Sequence, residues 1–187
     1  MFTGVTMVGR EPYNLSGFCN CTNLNSIVLP PSVTKIGYCA FQSTSISIID
    51  LKYITDISYS AFYACKQLAG VIDMPNLVTK NIITVFADTA INEVKNLGKV
   101  ERLGNDSFNN GNFTECTKLE KVNLPDTLTY IGRYEFSGCT SLRECNIPIG
   151  VTTIIASAFY NCSNLRITIN LPNLSSVGLA SFFNTGI

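Results

Sequence analysis

Phenylalanine returns along this 187-residue chain at 18, 41, 62, 86, 113, 136, 159 and 182, with gaps of 23, 21, 24, 27, 23, 23 and 23 residues. Each is followed at +3 by a small residue. It is Cys at 21, 65, 116, 139 and 162, and Thr at 44, 89 and 185. A leucine or isoleucine comes next, at +6 in the Cys form and +5 in the Thr form: Leu24, Ile46, Leu68, Ile91, Leu119, Leu142, Leu165 and Ile187. A large apolar side chain recurring with the same neighbours confines the chain to stacked coils, each too small to bury its own apolar face. The Cys and Thr forms are two ways of turning one corner.

After each corner an alternating segment predicts a short strand with one face buried. Leu24, Ile27 and Leu29 correspond to Ile46, Ile49 and Leu51, to Leu119, Val122 and Leu124, and to Leu142, Cys145 and Ile147. Proline at 30, 75, 125, 148 and 172 ends the segment, since it cannot donate to a ladder. A second apolar pair follows, such as Leu128 and Ile131 or Val151 and Ile154, and predicts a second short strand. Gly37, Gly132 and Gly178 close it, at turns requiring either a positive φ or no side chain. At most one helical turn fits before the next phenylalanine.

The period breaks twice in the same way. YNLSGF (13 to 18) and FNNGNF (108 to 113) read as one enlarged corner, each with five extra residues, four rungs apart on one edge. IDMPNL (72 to 77) and INLPNL (169 to 174) share a smaller oddity, one extra residue before the strand core. No linker or composition shift divides residues 1–187, so one domain is expected. Neither end carries a polar capping unit, which predicts a piece of a longer array or ends covered by a partner.

The pattern L-x-x-V-x-L-P-x-x-V-T-x-I-G-x-x-A-F-x-x-C-x-x-L, best kept in LEKVNLPDTLTYIGRYEFSGCTSL (119 to 142), resembles the BspA-like leucine-rich repeats. Such repeats occur in surface proteins of gut and oral bacteria, in some parasitic protists and in some phage proteins. The resemblance covers essentially the whole chain. It implies a leucine-rich-repeat solenoid of about eight coils of ~23 residues. A parallel sheet would lie on one face and second short strands on the other, with little helix. It also implies protein recognition or adhesion at a cell surface or after secretion, and no enzymatic activity. The partner implied is a host matrix or neighbouring-cell surface protein, with a glycan as a second candidate. The alternative is a structural assembly or scaffold protein, of a phage particle or inside a cell. The absence of a signal peptide in this sequence keeps an intracellular or virion location open.

Composition narrows the chemistry. There is no histidine, so the commonest general base and metal ligand is missing, and Ser-His-Asp or Cys-His catalysis cannot be assembled within the chain. With 13 basic and 13 acidic residues the net charge is 0, which leaves no basic stripe for nucleic acid. No apolar run is long enough for a membrane helix. No paired carboxylates, phosphate loop or metal-ligand spacing stands out, so no cofactor, catalytic or metal site is expected.

The recurring Cys position accepts Thr, so it calls for a small, buried side chain, and free thiols are expected there. Cys145 substitutes for a valine in a strand core, and Cys19 and Cys39 are the expected reactive thiols. Outward-pointing charges define a candidate protein-binding face: Glu93, Lys95, Glu120, Lys121, Arg143, Glu144 and Arg166. The competing reading is a solvated sheet face with incidental ion pairs. The enlarged corners supply candidate binding loops, with Tyr13, Asn14, Phe18, Asn109, Asn110, Asn112 and Phe113. Tyr38, Tyr63, Tyr160 and Phe183 are expected to add exposed aromatic area.

Overall fold

The computed structural model describes residues 7–9, 17–107 and 110–187. Tyr13, Asn14 and Asn109 therefore lie outside the described residues. Among those described there is no helix, and the strands are short. In chain order they are β1 (Met7–Val8), β2 (Lys35–Ile36), β3 (Asp56–Ile57), β4 (Ala69–Asp73), β5 (Asn81–Ile82), β6 (Ala90–Asn96), β7 (Arg102–Leu103), β8 (Lys121–Asn123), β9 (Tyr130–Ile131), β10 (Glu144–Asn146), β11 (Thr153–Ile154) and β12 (Ser176–Val177). All pair in parallel, each with its counterpart in the neighbouring coil. The chain is a solenoid.

One face carries a four-stranded sheet in the order β10-β8-β6-β4. Its register places like residues over like: Val94 beside Val122, and Val122 beside Cys145. The expected sheet is therefore real but covers fewer coils than the periodicity suggests. The segments around Ile27 and Ile49 form no strand. Each is joined to the next coil by one main-chain bridge, Ser47 N to the Asn25 carbonyl at 3.2 Å and Ala69 N to the Ser47 carbonyl at 3.0 Å, which is too little for a ladder. The extra residue of the 72–77 coil produces register shifts between β4 and β6, with Gly70 at φ 86°. The 169–174 coil, with the same extra residue, forms no strand. Ile169 is 39 % exposed while Ile167 packs on the core.

The opposite face holds two sheets, β1-β2-β3 and β12-β11-β9-β7-β5. They part between β3 and β5, where the Ile57 N–H donates to the Thr79 hydroxyl (3.2 Å) instead of a carbonyl. Gly132 has no positive φ. It is glycine because a Cβ there would lie 2.6 Å from the Leu103 carbonyl oxygen of the preceding coil.

The corner between the sheets is a third ladder. The anchor N–H donates forward to the carbonyl before the next anchor: Phe41 to Ala61 (2.9 Å), Phe62 to Val85 (2.9 Å), Phe136 to Ala158 (2.7 Å). The residues two before and two after the anchor adopt left-handed backbone, as at Ser60 and Ala64 (φ 55° and 57°) or Ser157 and Asn161 (59° and 60°). That alternation turns successive donors toward the same side, so each corner stacks on the next. Gly111, two before Phe113, lacks the positive φ, and it lies in the enlarged corner.

Behind this ladder the eight phenylalanines stack in one column. Successive rings sit 5.0 to 5.9 Å apart with interplanar angles of 2 to 16°. The widest step, Phe86 to Phe113, spans the 27-residue gap. Phe41 through Phe159 are fully buried, whereas Phe18 and Phe182 are half-buried. Eight anchors delimit only seven intervals, so the count falls short of eight full coils.

Candidate functional site

The outward residues of the sheet face form columns, because each precedes a core residue and the core residues stack. In the column before Ile49, Ile72, Val94, Val122 and Cys145 stand Ile48, Val71, Glu93, Lys121 and Glu144. Ile48 is 71 % and Val71 50 % exposed. Val71 lies in register with Glu93, and Lys121 lies between Glu93 and Glu144. An apolar half thus runs into a half of alternating charge. Val28, 85 % exposed, adds to the apolar end.

The charges are partly spent on one another. Lys121 Nζ lies 3.2 Å from the Glu144 carboxylate, and Lys95 Nζ lies 3.1 Å from Asp73. Arg166 donates to the Ser163 carbonyl at 3.1 Å. Glu120 and Arg143 are exposed and join no ion pair among the described residues. Glu93 is half-buried. Two shallow depressions of about 290 and 340 Å³ lie between these side chains and share Lys121, Arg143 and Glu144. Exposed pairs of this kind contribute under about 1 kcal/mol to folding, which leaves their charge available to a partner.

The enlarged corner is built differently from the expectation. Asn112 and Phe113 are fully buried, and Phe18 is stacked on Phe41 at 5.5 Å, so these three face the core. The cause is the anchor ladder, which keeps the phenylalanine inside whatever the length of the loop before it. Asn110 is exposed, and Thr84 Oγ1 donates to its carbonyl at 2.9 Å. Asn112, part of an Asn-Phe-Thr sequon, is inaccessible in the folded state.

Behind the loop lies a group that the sequence reading passed over. Glu135 is fully buried, and its Oε2 accepts from Asn112 N (3.0 Å) and Asn112 Nδ2 (2.9 Å). Among the described residues its Oε1 has no hydrogen-bond partner, and it sits against Gly104. Burial pushes this carboxyl up to about 7, against the two Asn112 bonds that pull it down. The signal was present: the residue before the anchor is Ala at 40, 61 and 158, but Asn at 112 and Glu at 135.

The cysteine column holds free, buried thiols at 65, 116, 139 and 162, and Cys21 is exposed. Each buried thiol donates to the anchor carbonyl of the preceding coil, as Cys139 does to Phe113 at 3.0 Å and Cys162 to Phe136 at 3.0 Å. Thr89 and Thr185 cap their own anchors, Phe86 and Phe182, at 2.8 Å each. The two corner forms therefore solve one hydrogen-bonding problem in two ways. Cys145 is buried as expected. Cys39, expected to be reactive, is 2 % exposed because the left-handed turn before Phe41 folds it inward. Cys19 is half-buried, and burial raises its thiol above the ordinary range. Phe183 is 58 % exposed, whereas Tyr38, Tyr63 and Tyr160 are half-buried.

Comparison with known proteins agrees with this geometry. No curated protein matches the chain in sequence. A leucine-rich repeat protein from Eubacterium ventriosum has a similar structure, with a TM-score of 0.71 at 20% identity over 86% of this chain. The chain spans 42% of that protein, and the likeness is one of fold. A leucine-rich repeat protein from Bacteroides ovatus aligns at 19% identity and a TM-score of 0.39, covering 96% of this chain and 68% of its own length. The profile of the BspA type leucine rich repeat region matches residues 14–114 and 109–187 with 6 copies, fewer than the eight coils expected. Repeats of this kind generally bind proteins and are typically non-catalytic. With six copies matched across nearly its whole length and the coil geometry to go with them, the chain belongs to the BspA type leucine-rich-repeat family.

Proposed function

We propose that this domain is a non-catalytic recognition module that docks a protein partner on its sheet face. The observation that carries the reading is the outward column in which Ile48 and Val71 lead into Glu93, Lys121 and Glu144. Exposed aliphatic side chains grouped on one face, Ile48 and Val71 with Val28 near them, favour contact with a partner. A charged flank beside them sets orientation and partner choice. Glu120, Arg143 and Arg166 extend that flank, and Lys95 borders it. The enlarged corner contributes Asn110, with Tyr13, Asn14 and Asn109 as further candidates.

The finer reading is adhesion: the module belongs to a cell-surface or secreted protein and its partner is a matrix or neighbouring-cell surface protein. Two measurements test it. Immobilised matrix proteins are screened for binding to the domain, and Ile48→Asp and Arg143→Glu are compared with wild type for the best ligand. Each substitution at the docking face is expected to weaken binding by about tenfold or more, with unchanged circular dichroism. Protease shaving of intact source cells is expected to remove the protein. Failure of the shaving places it inside the cell or in a particle, and binding indifferent to both substitutions removes the sheet face from consideration.

A further inference from the structure

We propose that the corner face carries a second site, a groove around the Tyr63 ring that binds an uncharged oligosaccharide. Tyr63 borders two adjoining depressions of about 280 and 320 Å³, and Asn110 lines both. The column of residues just after the anchors explains why the ring stands clear. It runs Gln42, Tyr63, Ala87, Thr114, so the coil after Tyr63 offers only a methyl group beside it. Elsewhere the same column closes on itself: Tyr160 is covered by Phe183, with rings 5.2 Å apart. On the other side of Tyr63 the stacked pair Tyr38–Tyr59, at 5.5 Å and 13°, forms a wall.

Asn110 of the enlarged corner lines this groove. Asn110 is held there by the Thr84 hydroxyl on its carbonyl, and the next residue by the Gly111 N–H on Thr114 Oγ1 at 2.7 Å. The remaining polar lining is the Gln42 amide and the hydroxyls of Ser60 and Thr117, beside Thr84 and Thr114, whose hydroxyls already donate to the Asn110 and Tyr134 carbonyls. Its charged members are Asp88, neutralised by Lys66 at 3.2 Å, and Glu115. Among the described residues no cation lines the groove for an acidic ligand. A pyranose meets what the groove offers: its C–H face lies on the negative face of an aromatic ring, and its hydroxyls exchange hydrogen bonds with side-chain amides and carboxylate. A proline-rich peptide also uses aromatic grooves, but it brings few N–H or O–H donors to the Gln42 amide and the Glu115 carboxylate.

The test is titration of the domain with neutral oligomers of mannose, galactose, glucose and N-acetylglucosamine, read by saturation-transfer NMR and calorimetry, with a proline-rich peptide alongside. At least one sugar series is expected to saturate. Tyr63→Ala and Asn110→Ala are expected to weaken it about tenfold, and Tyr63→Phe by less than about threefold, because the ring face remains. Should Tyr63→Ala fail to fold, Asn110→Ala alone decides. Absence of sugar binding, sugar binding untouched by these substitutions, or saturation by the peptide instead would each overturn the proposal. Ile48→Asp leaves sugar binding intact, so the fate of the sheet-face reading is separate.

Discussion

Glu135 and Asn112 occupy the same position in consecutive coils and are bonded to each other through both the main-chain N–H and the side-chain amide of Asn112. Asn112 Nδ2 also donates to the Ile82 carbonyl at 2.8 Å, and its Oδ1 accepts from Val85 N at 3.1 Å. The pair therefore joins three coils where the period is broken. Regular coils need only alanine at this position, because the next anchor corner lies directly on it. The anchor ladder continues through the enlarged corner, with Phe86 N on the Asn112 carbonyl and Phe113 N on the Glu135 carbonyl at 3.0 Å each, and the polar pair adds side-chain bonds to it.

The pair makes stability pH-dependent in a specific direction. The Glu135 carboxyl is raised from 4.5 to about 7 in the folded chain, so the folded state holds its proton more tightly than the unfolded state does. The contribution is complete below the unfolded value and is lost as pH rises through about 7. It amounts to a few kcal/mol at most. Urea midpoints of wild type and Glu135→Gln, taken between pH 4 and 8, are expected to lie closest at acid pH and to separate as pH rises through about 7, with wild type losing stability relative to the amide. Parallel curves would show that Glu135 does not titrate in this window.

Gly104 carries the same argument in steric form. Its φ is 65°, and a Cβ there would run into Glu135 Oε1. Gly104→Ala is expected to destabilise by about 2 kcal/mol or more, since it adds left-handed strain to a displaced buried carboxyl. In Glu135→Ala the same substitution should cost less, by the strain alone. Equal costs in both backgrounds would mean that the two residues do not share the space.

The solenoid was legible from the spacing alone, because the phenylalanine column depends on one side chain per coil and tolerates gaps from 21 to 27 residues. The sheet was legible only in part. Alternation at Ile27 and Ile49 shows which side chains turn inward, but a ladder needs repeated main-chain bonds, and the sequence does not count those. Loop residues were misplaced for the same reason: Asn112 and Phe113 look like the end of a polar insertion, yet the anchor ladder draws both inside. Glu135 was overlooked because one glutamate in a stub reads as surface until its column of alanines is aligned.

The thiols should sort by place in the stack. Burial pushes Cys116 up to about 11 and Cys162 up to about 12, and Cys139 and Cys145 rise as well. A buried thiol with almost no thiolate at neutral pH reacts slowly. Ellman titration of the native chain is expected to show Cys21 first and Cys19 second, with the other six reacting only on unfolding. Early modification of Cys39, followed by mass spectrometry, would restore the reading that the structure removes.

The left-handed residues flanking each anchor predict an inverted response to glycine. Ala64 holds φ 57°, where an L-residue is disfavoured by roughly 1–2 kcal/mol. Glycine relieves that strain but costs about 0.5–1 kcal/mol in chain entropy. Ala64→Gly is therefore expected to leave the melting temperature unchanged or raise it slightly. Ala158, fully buried just before Phe159 and without a positive φ, is the control. There glycine removes packing and adds entropy with no strain to relieve, so Ala158→Gly should lower stability by about 1 kcal/mol or more. Calorimetry on the two variants decides it. A loss at Ala64 as large as at Ala158 would mean that the alternating corner is not the conformation that stacks these coils.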